Sequence, residues 1–210
     1  MDNVIALSYR STFSYLIDCQ GGKLLVDAGW PGTMPIFKAG LKRYQIEPAQ
    51  IKYVLATHMH PDHAGLAQEV KTLCGSRLII HRKQAPFLGA LQAMFEKKGG
   101  YVPIQIEKSD IVIDSPGRAT LESIGIKGAL IETPGHSDDS LSLVLDSGTT
   151  FVGDLTWPDR VDEQKIEVVT ASWRALIAAG ARVIYPGHGG PTPVAVIARQ
   201  LPGAGSDSVR

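Results

Sequence analysis

The sequence predicts an α+β protein made of two related halves, each a β-sheet with helices on its outer side. Short apolar segments of strand length alternate with turn residues and with segments of helical periodicity. Two motifs also occur twice: Asp-x-x-Trp-Pro at 27–31 and 154–158, and Pro-Gly-His at 134–136 and 186–188. The repeats put an aspartate or a histidine at the end of an apolar segment, where loops gather side chains into a site.

The first half begins with a predicted meander of three short strands, and the second and third are separated by the turn residues at 20–22. A helix, a strand, a second helix and a further strand follow. The predicted strands are 4–7, 13–17, 24–26, 53–56 and 78–80, and the predicted helices are 35–44 and 64–73. The strand at 53–56 runs directly into a cluster of histidines.

The segment 84–98 is predicted to form an amphipathic helix, with apolar residues at spacings of one, three and four. Two roles are open for it: packing in the core, or covering a bound substrate as a flap. Strands are predicted to dominate 104–151, followed by a helix at 172–179 and a last strand at 182–185. We expect a single domain over 1–202 and a flexible tail at 203–210.

Composition narrows the class of function. The 21 basic and 21 acidic side chains balance, so no net field attracts nucleic acid or an anionic membrane. No apolar run is long enough to span a bilayer, and the N-terminus lacks the pattern of a secretory signal. The two cysteines, Cys19 and Cys74, form neither a disulfide framework nor a thiolate metal cluster, and we expect buried structural thiols. We therefore expect a cytoplasmic protein that binds neither nucleic acid nor a membrane, and its oligomeric state stays undetermined.

The stretch THMHPDHAG at 57–65 contains three of the six histidines of the chain. His58 and His60 share one face of a strand, and Pro61 breaks that strand, so that Asp62 and His63 turn toward a neighbouring point. Nitrogen and carboxylate donors suit Zn(II), Fe(II) or Mn(II). Incidental histidines in a solvated loop are the alternative. His81 stands alone in the sequence, and we expect a surface or core role for it.

These residues resemble the signature of the metallo-beta-lactamase fold superfamily. The resemblance continues through Thr-Pro-Gly-His136, Val-Gly-Asp154 and Pro-Gly-His188 in the order of the family, and it covers residues 13–188. It implies an αββα sandwich, in which two mixed β-sheets pack face to face with helices outside and metals lie at one edge of the sheets.

The resemblance also implies a ligand set and a cofactor. It assigns His58, His60 and His136 to one metal, assigns Asp62, His63 and His188 to a second metal, and makes Asp154 the bridge. Two zinc ions per chain are expected, although iron and manganese accept the same donors. Asp27 occupies the place of an acidic residue that steadies the ligand loop, and capping a turn is an equally open role. Thr57 and Ser137 flank ligands and suit the same supporting task.

A water shared by two metals has a lowered pKa and supplies hydroxide at neutral pH. Asp62 is the expected catalytic residue, since its carboxylate could orient this water and take its proton. Aspartate at 154 is similar to thioesterase, lactonase and phosphodiesterase branches of the superfamily, whereas true beta-lactamases usually carry cysteine or serine there. We expect a dinuclear hydrolase of a small ester, lactone or thioester. A small-molecule phosphodiesterase and a mononuclear iron oxidoreductase resembling persulfide dioxygenases are the alternatives.

Residues that contact the substrate are less firmly indicated. Trp30 and Trp157 each follow an important aspartate by three positions and are candidates for the pocket wall. Phe87, Met94 and Phe95 are candidates for its cover, with core packing as the alternative for each of these side chains. Arg160 is the nearest cation to a ligand motif and either meets an anionic substrate or lies on the surface.

Overall fold

The structure, a computed structural model, describes residues 2–9, 11–96 and 99–202. These residues form eleven β-strands and seven α-helices. The strands are β1 Ile5–Tyr9, β2 Thr12–Cys19, β3 Gly22–Val26, β4 Ile51–Leu55, β5 Arg77–His81, β6 Ile111–Ile113, β7 Gly128–Glu132, β8 Leu141–Leu145, β9 Thr149–Gly153, β10 Val183–Pro186 and β11 Thr192–Pro193. The helices are α1 Met34–Arg43, α2 Pro61–Ala64, α3 Ala67–Cys74, α4 Leu88–Phe95, α5 Arg118–Ser123, α6 Ile166–Ala178 and α7 Val194–Ala198.

The strands form two mixed sheets, with the orders β1-β2-β3-β4-β5-β6 and β11-β10-β9-β8-β7. Both sheets contain the same sequence of steps: two antiparallel pairings and then a helical crossover to a parallel strand. In the first sheet this is β1-β2-β3-α1-β4, and in the second it is β7-β8-β9-α6-β10. The predicted relationship between the two halves therefore appears in their topology.

Alternating side chains of the strands build three apolar layers. In β3, Leu24 and Val26 belong to a cluster that also contains Leu143 and Phe151 of the second sheet, so this cluster lies between the sheets. Leu25, between them in sequence, belongs to the cluster under α1 and α3. A third cluster joins the second sheet to α6 and α7 around the fully buried Trp173. The layer order is helix, sheet, sheet, helix, which confirms the predicted αββα fold class.

Several predicted elements differ from the observed ones near the histidine cluster. The helix predicted at 64–73 is divided into α2 and α3, because the N–H of Leu66 bonds to the carbonyl of Gly29 at 3.1 Å instead of continuing the helix. Gly65 allows this break, since a Cβ there would press against Pro31. Helix α2 begins at Pro61, so Asp62 and His63 lie in its first turn.

The segment predicted as one helix at 84–98 begins as the 3₁₀ helix Arg82–Phe87, which contains Pro86, and continues as α4. Residues 97 and 98 lie outside the described residues. The region 104–151 contains β6 to β9 and also α5, which the prediction of strands missed. Helix α6 begins six positions before the predicted start, and β11 and α7 were not predicted.

The prediction of a single domain over 1–202 stays a prediction, and the tail predicted at 203–210 lies outside the described residues. No helix within the described ranges is long and apolar enough to cross a membrane.

Candidate metal centre

The loops that follow β4, β7, β9 and β10 meet at one end of the two sheets. They bring together all seven predicted ligands: His58, His60, Asp62, His63, His136, Asp154 and His188.

A sharp bend after β4 brings the four predicted ligands of the histidine cluster together. His60 has extended backbone angles (φ −85°, ψ 155°) and is the residue at which α2 begins, and Pro61 occupies the first helical position. Proline suits this position because its fixed φ is already helical and its missing N–H would have no partner in the first turn. The chain therefore changes from strand to helix within one residue, between His60 and Asp62.

The donors form two adjacent sets. His58, His60 and His136 are the first set, and the second contains Asp62, His63, Asp154 and His188; within each set one donor atom per residue lies within 4.8 Å of the others. His60 Nδ1 and His136 Nε2 are 3.0 Å apart.

Asp154 belongs to the second set and also approaches the first. Its Oδ2 is 3.7 Å from His136 Nε2 of the first set and 3.4 Å from His188 Nε2 of the second. This location fits the bridging position that the resemblance implies. The function of the seven residues as ligands stays a prediction.

The donor atoms fit divalent metal ions. His58 Nε2, His63 Nε2 and Asp154 Oδ1 are buried and have no hydrogen-bond partner outside the cluster among the described residues. His63 Nε2 and Asp154 Oδ1 lie 3.2 Å apart, so that with the His63 proton on Nδ1 two lone pairs face each other. Buried polar atoms are nearly always paired, so three unpaired atoms in one place indicate a missing partner. The partner must accept lone pairs from neutral imidazole and carboxylate, which is the chemistry of Zn(II), Fe(II) or Mn(II).

Hydrogen bonds fix which ring nitrogen faces the centre. The Nδ1–H of His63 donates to Asp27 Oδ2 at 2.8 Å, and the Nδ1–H of His188 donates to the carbonyl of Ser11 at 2.8 Å. Both rings therefore present the lone pair of Nε2 to the centre. His58 Nδ1 lies 3.2 Å from the hydroxyl of Thr57, which orients its ring in the same way.

Asp27 directly follows β3 and is buried in the left-handed backbone region, at φ 61°. Its carboxylate accepts the N–H of Thr57 at 2.7 Å and the hydroxyl of Thr57 at 3.0 Å, in addition to the bond from His63. Of the two open roles, the structure therefore supports the steadying of the ligand loop.

Burial and neighbouring charges shift the pKa values of the cluster. Burial, reinforced by the surrounding imidazoles, holds the pKa of His58 well below its usual value. Burial also lowers the pKa of His136, with partial compensation by Asp154. For His63 the effect of burial is outweighed by Asp27 and Asp154, which raise its pKa. For Asp154 the effect of burial is outweighed by His63, which lowers its pKa. The lowered pKa values keep His58 and His136 neutral and Asp154 ionised, as metal binding requires. A bound divalent cation would displace the proton from His63 Nε2.

Three supporting residues were not found by sequence reasoning. Thr12 donates its hydroxyl to Asp62 Oδ2 at 3.3 Å, and Gln84 donates its amide to the carbonyl of Ala56 at 2.9 Å, just before the histidine loop. Asp139 accepts the N–H of Met59 at 2.7 Å. These partners are 28 to 80 residues apart in sequence, so no local pattern reveals them.

Ser137, expected to support a ligand, contacts Asp139 instead of a histidine. His81 is buried, consistent with the core role, and burial lowers its pKa. Its ring faces the backbone N–H groups of Lys83 and Ser115.

The predicted pocket residues divide into two groups. Trp157 and Arg160 line a cavity of about 270 Å³ together with His136, Asp154 and His188. Trp30 is 41% exposed and lines a different cavity.

The candidates for a substrate cover lie elsewhere. Phe87 and Phe95 pack against the core under the first sheet, and Met94 is 50% exposed. Cys74 is buried as expected, whereas Cys19 is half-buried. Burial raises the pKa of both thiols to about 11, so neither is a ready nucleophile.

A family model described as the metallo-beta-lactamase superfamily matches residues 8–188. The chain belongs to this superfamily. It is 28% identical over 190 residues to the beta-lactamase-like protein 2 homolog of Drosophila melanogaster, covering 89% of this chain and 61% of that protein. It is 26% identical over 187 residues to the thioesterase pkgB of Emericella nidulans, covering 88% and 47% respectively. The chain thus spans about half to three fifths of the length of these relatives.

Solved structures give the same fold. The subclass B3 metallo-beta-lactamase BJP-1 of Bradyrhizobium japonicum matches with a TM-score of 0.67 and 22% identity, over 90% of this chain and 75% of that chain. A metallo-beta-lactamase family protein of Thermus thermophilus matches with a TM-score of 0.68 and 23% identity, over 95% and 77%. At this level of identity the likeness is evidence for the fold alone.

Proposed function

We propose that this protein is a metal-dependent hydrolase that holds two divalent metal ions, zinc foremost, and cleaves a small carboxyl ester, lactone or thioester. One observation carries the proposal: seven donor groups converge as two adjacent sets, and buried atoms of these sets, including His58 Nε2 and His63 Nε2, have no other partner among the described residues. A fold without metal would leave these atoms desolvated and unpaired at a substantial cost in stability.

Two groups of side chains would bind the two metals. His58, His60 and His136 would hold one metal, Asp62, His63 and His188 would hold the other, and Asp154 would contact both. When bound, such metals lower the pKa of a shared water and polarise the substrate carbonyl.

Asp62 is suited to accept the proton of the attacking water. The hydroxyl of Thr12 donates to its Oδ2 at 3.3 Å, and its side chain is 14% exposed. A fixed, partly hydrated carboxylate can take a proton and release it to solvent or to a leaving group. No serine or cysteine nucleophile is then needed.

The cavity beside the centre supports a carboxyl substrate. Leu155, Trp157 and Pro186 supply apolar surface directly next to His136 and His188, which suits an acyl chain. Two relatives are named as thioesterases, pkgB and an atrochrysone carboxyl ACP thioesterase of Aspergillus fumigatus, the second 24% identical over 193 residues.

A small phosphodiester is the second candidate, and Arg160 is the observation that favours it. Arg160 lines the cavity, and among the described residues its one ion-pair partner is Asp159, with Nε and Oδ1 4.0 Å apart. One exposed cation gives weaker support than the apolar lining, because phosphoryl transfer relies on concentrated positive charge at the phosphoryl oxygens.

Hydrolysis rates of zinc-loaded protein on activated esters, lactones and thioesters, compared with activated phosphodiesters, test the proposal. We expect higher kcat/KM for the carboxyl substrates, two zinc ions per chain, and loss of both activity and metal in a His58→Ala/His60→Ala variant. A preference for phosphodiesters would move the protein to the second candidate. A single iron with consumption of oxygen, or full activity of the double variant, would refute a metallohydrolase.

A further inference from the structure

We propose that Asp139 is a positioning residue that locks the three-histidine set together across the two halves of the molecule and supplies negative charge to the metal held there. The inference rests on the proposed function, since it concerns the binding of one of the two metals.

One buried carboxylate contacts both segments that carry the three histidines. Asp139 lies in the loop between β7 and β8 and is 1% exposed. Its Oδ2 accepts the N–H of Met59 at 2.7 Å, and Met59 lies between His58 and His60 in sequence. Its Oδ1 accepts the hydroxyl of Ser137, the residue after His136.

The spacing of the set depends on this contact because the histidines come from different sheets. His58 and His60 follow β4 of the first sheet, whereas His136 follows β7 of the second. Near the set the segments are also joined by the N–H of Leu141, which bonds to the carbonyl of Thr57 at 2.8 Å. A metal site tolerates displacements of only about 0.5 Å in its ligands, so the second tie, through Asp139, has a direct effect on affinity.

The negative charge of Asp139 would stabilise a metal held by the three-histidine set. Within the described ranges no lysine, arginine or histidine forms an ion pair with it. A buried carboxylate without a cation is unfavourable, even when it accepts hydrogen bonds. The histidines on the two segments that Asp139 contacts would bind a metal as neutral imidazoles, so a divalent ion held by them would leave a positive charge that Asp139 partly balances.

The neighbouring Asp138 provides a matched control. It carries the same charge one position earlier, but it is exposed. A second control is Asp110, a buried carboxylate outside the site that also accepts backbone N–H groups, from Leu78 and Glu107 at 2.8 Å each. Replacing Asp138 removes a negative charge near the set without removing the hydrogen bond to Met59. Asp110→Asn removes the charge of a buried carboxylate that accepts backbone N–H groups away from the metal centre.

Zinc affinity, measured by competition with a chelator, is the readout, and it does not depend on catalysis. In a His188→Ala background, which weakens the second set by removing one of its two imidazoles, we expect Asp139→Ala to weaken zinc binding at the three-histidine set by roughly 10- to 100-fold. Asp139→Asn keeps an acceptor for the N–H of Met59 but removes the charge, so we expect an intermediate loss. Asp138→Ala should leave the zinc affinity unchanged. Asp110→Asn should lower Tm but should also leave the zinc affinity unchanged.

Unchanged affinity in folded Asp139→Ala would overturn the inference, as would an equal loss in Asp110→Asn. If Asp139→Ala does not fold, the zinc affinity of Asp139→Asn is the deciding measurement. If that variant binds zinc as tightly as the His188→Ala background does, the inference is overturned. Unmodified protein that binds two zinc ions and hydrolyses esters, while its Asp139 variants keep full affinity, refutes the inference alone. Unmodified protein that binds no divalent metal refutes the proposed function and the inference together.

Discussion

Replacing Asp27 by asparagine is expected to change which nitrogen of His63 carries the proton. In the native chain Asp27 Oδ1 accepts the N–H of Thr57 and Oδ2 accepts the Nδ1–H of His63 at 2.8 Å. Asparagine has one oxygen, and when that oxygen serves Thr57, its NH₂ group faces His63 Nδ1. Two donors then meet unless the imidazole moves its proton to Nε2. With the proton on Nε2, His63 cannot be a ligand.

The expected loss of zinc affinity follows from the hydrogen bond between Asp27 and His63. Binding metal through Nε2 would force two donors to face each other at the native distance of 2.8 Å, which costs about 1–3 kcal/mol. This corresponds to roughly 5- to 150-fold weaker binding at the second set. Asparagine tolerates the left-handed backbone of this position, so backbone strain adds little to the effect.

The assay is zinc affinity by chelator competition, with Tm measured in parallel. Asp146→Asn is the control, since Asp146 is exposed and its partner at the surface is Arg118 rather than any of the seven predicted ligands. We expect one zinc ion to be held at normal affinity and the other to be weakened in Asp27→Asn, with both unchanged in the control. Full affinity for both zinc ions in Asp27→Asn would refute the reasoning about His63.

Three further variants follow from the structure. Gly187→Ala puts a methyl group against the ring of His63 and within 2.6 Å of Asp154 Oδ1. We expect roughly tenfold weaker zinc binding, measured by chelator competition. Native zinc affinity in this variant would show that the methyl group does not displace His63 or Asp154. Arg160→Gln should raise KM more for an ester that carries a carboxylate than for a neutral ester, and an equal rise for both would exclude recognition of anions by Arg160. Asp110 is buried, but hydrogen bonds from Glu107, Lys71 and Leu78 lower its pKa below the ordinary 3.8. It therefore contributes stability above this pH, and the contribution is lost as pH falls through the folded-state pKa. Asp110→Asn should flatten the acid side of the stability curve measured by urea unfolding, and an unaltered acid side would show that Asp110 is not responsible.

The local motif around Pro61 was sufficient to predict the grouping of His58, His60, Asp62 and His63, because ligand spacing within one turn is a property of sequence. The meander at the N-terminus was also predicted, since short apolar segments follow one another there and the turn glycines at 21 and 22 separate the second from the third. The exact course of the chain near Gly65 was not, because a single backbone bond to Gly29 from another loop ends the helical run.

Residues that act across the two halves were beyond sequence reasoning. Asp138 and Asp139 are chemically identical in sequence, and only the fold buries one and exposes the other. Trp30 and Trp157 occupy equivalent places in the repeated motif, but Asp27 and Gly29 have left-handed backbone angles that Asp154 and Thr156 lack. The two loops therefore turn differently, and of the two tryptophans only Trp157 lines the cavity beside the candidate metal centre.

Titration of metal-free protein with zinc, with hydrolysis of an activated thioester measured at each addition, tests the central claim most directly. We expect the chain to bind two equivalents and the rate to rise until the second is bound, because Asp154 approaches histidines of both sets and would join them into one centre. Full hydrolysis without metal, or binding of two zinc ions with no hydrolysis of any ester or thioester, would contradict it.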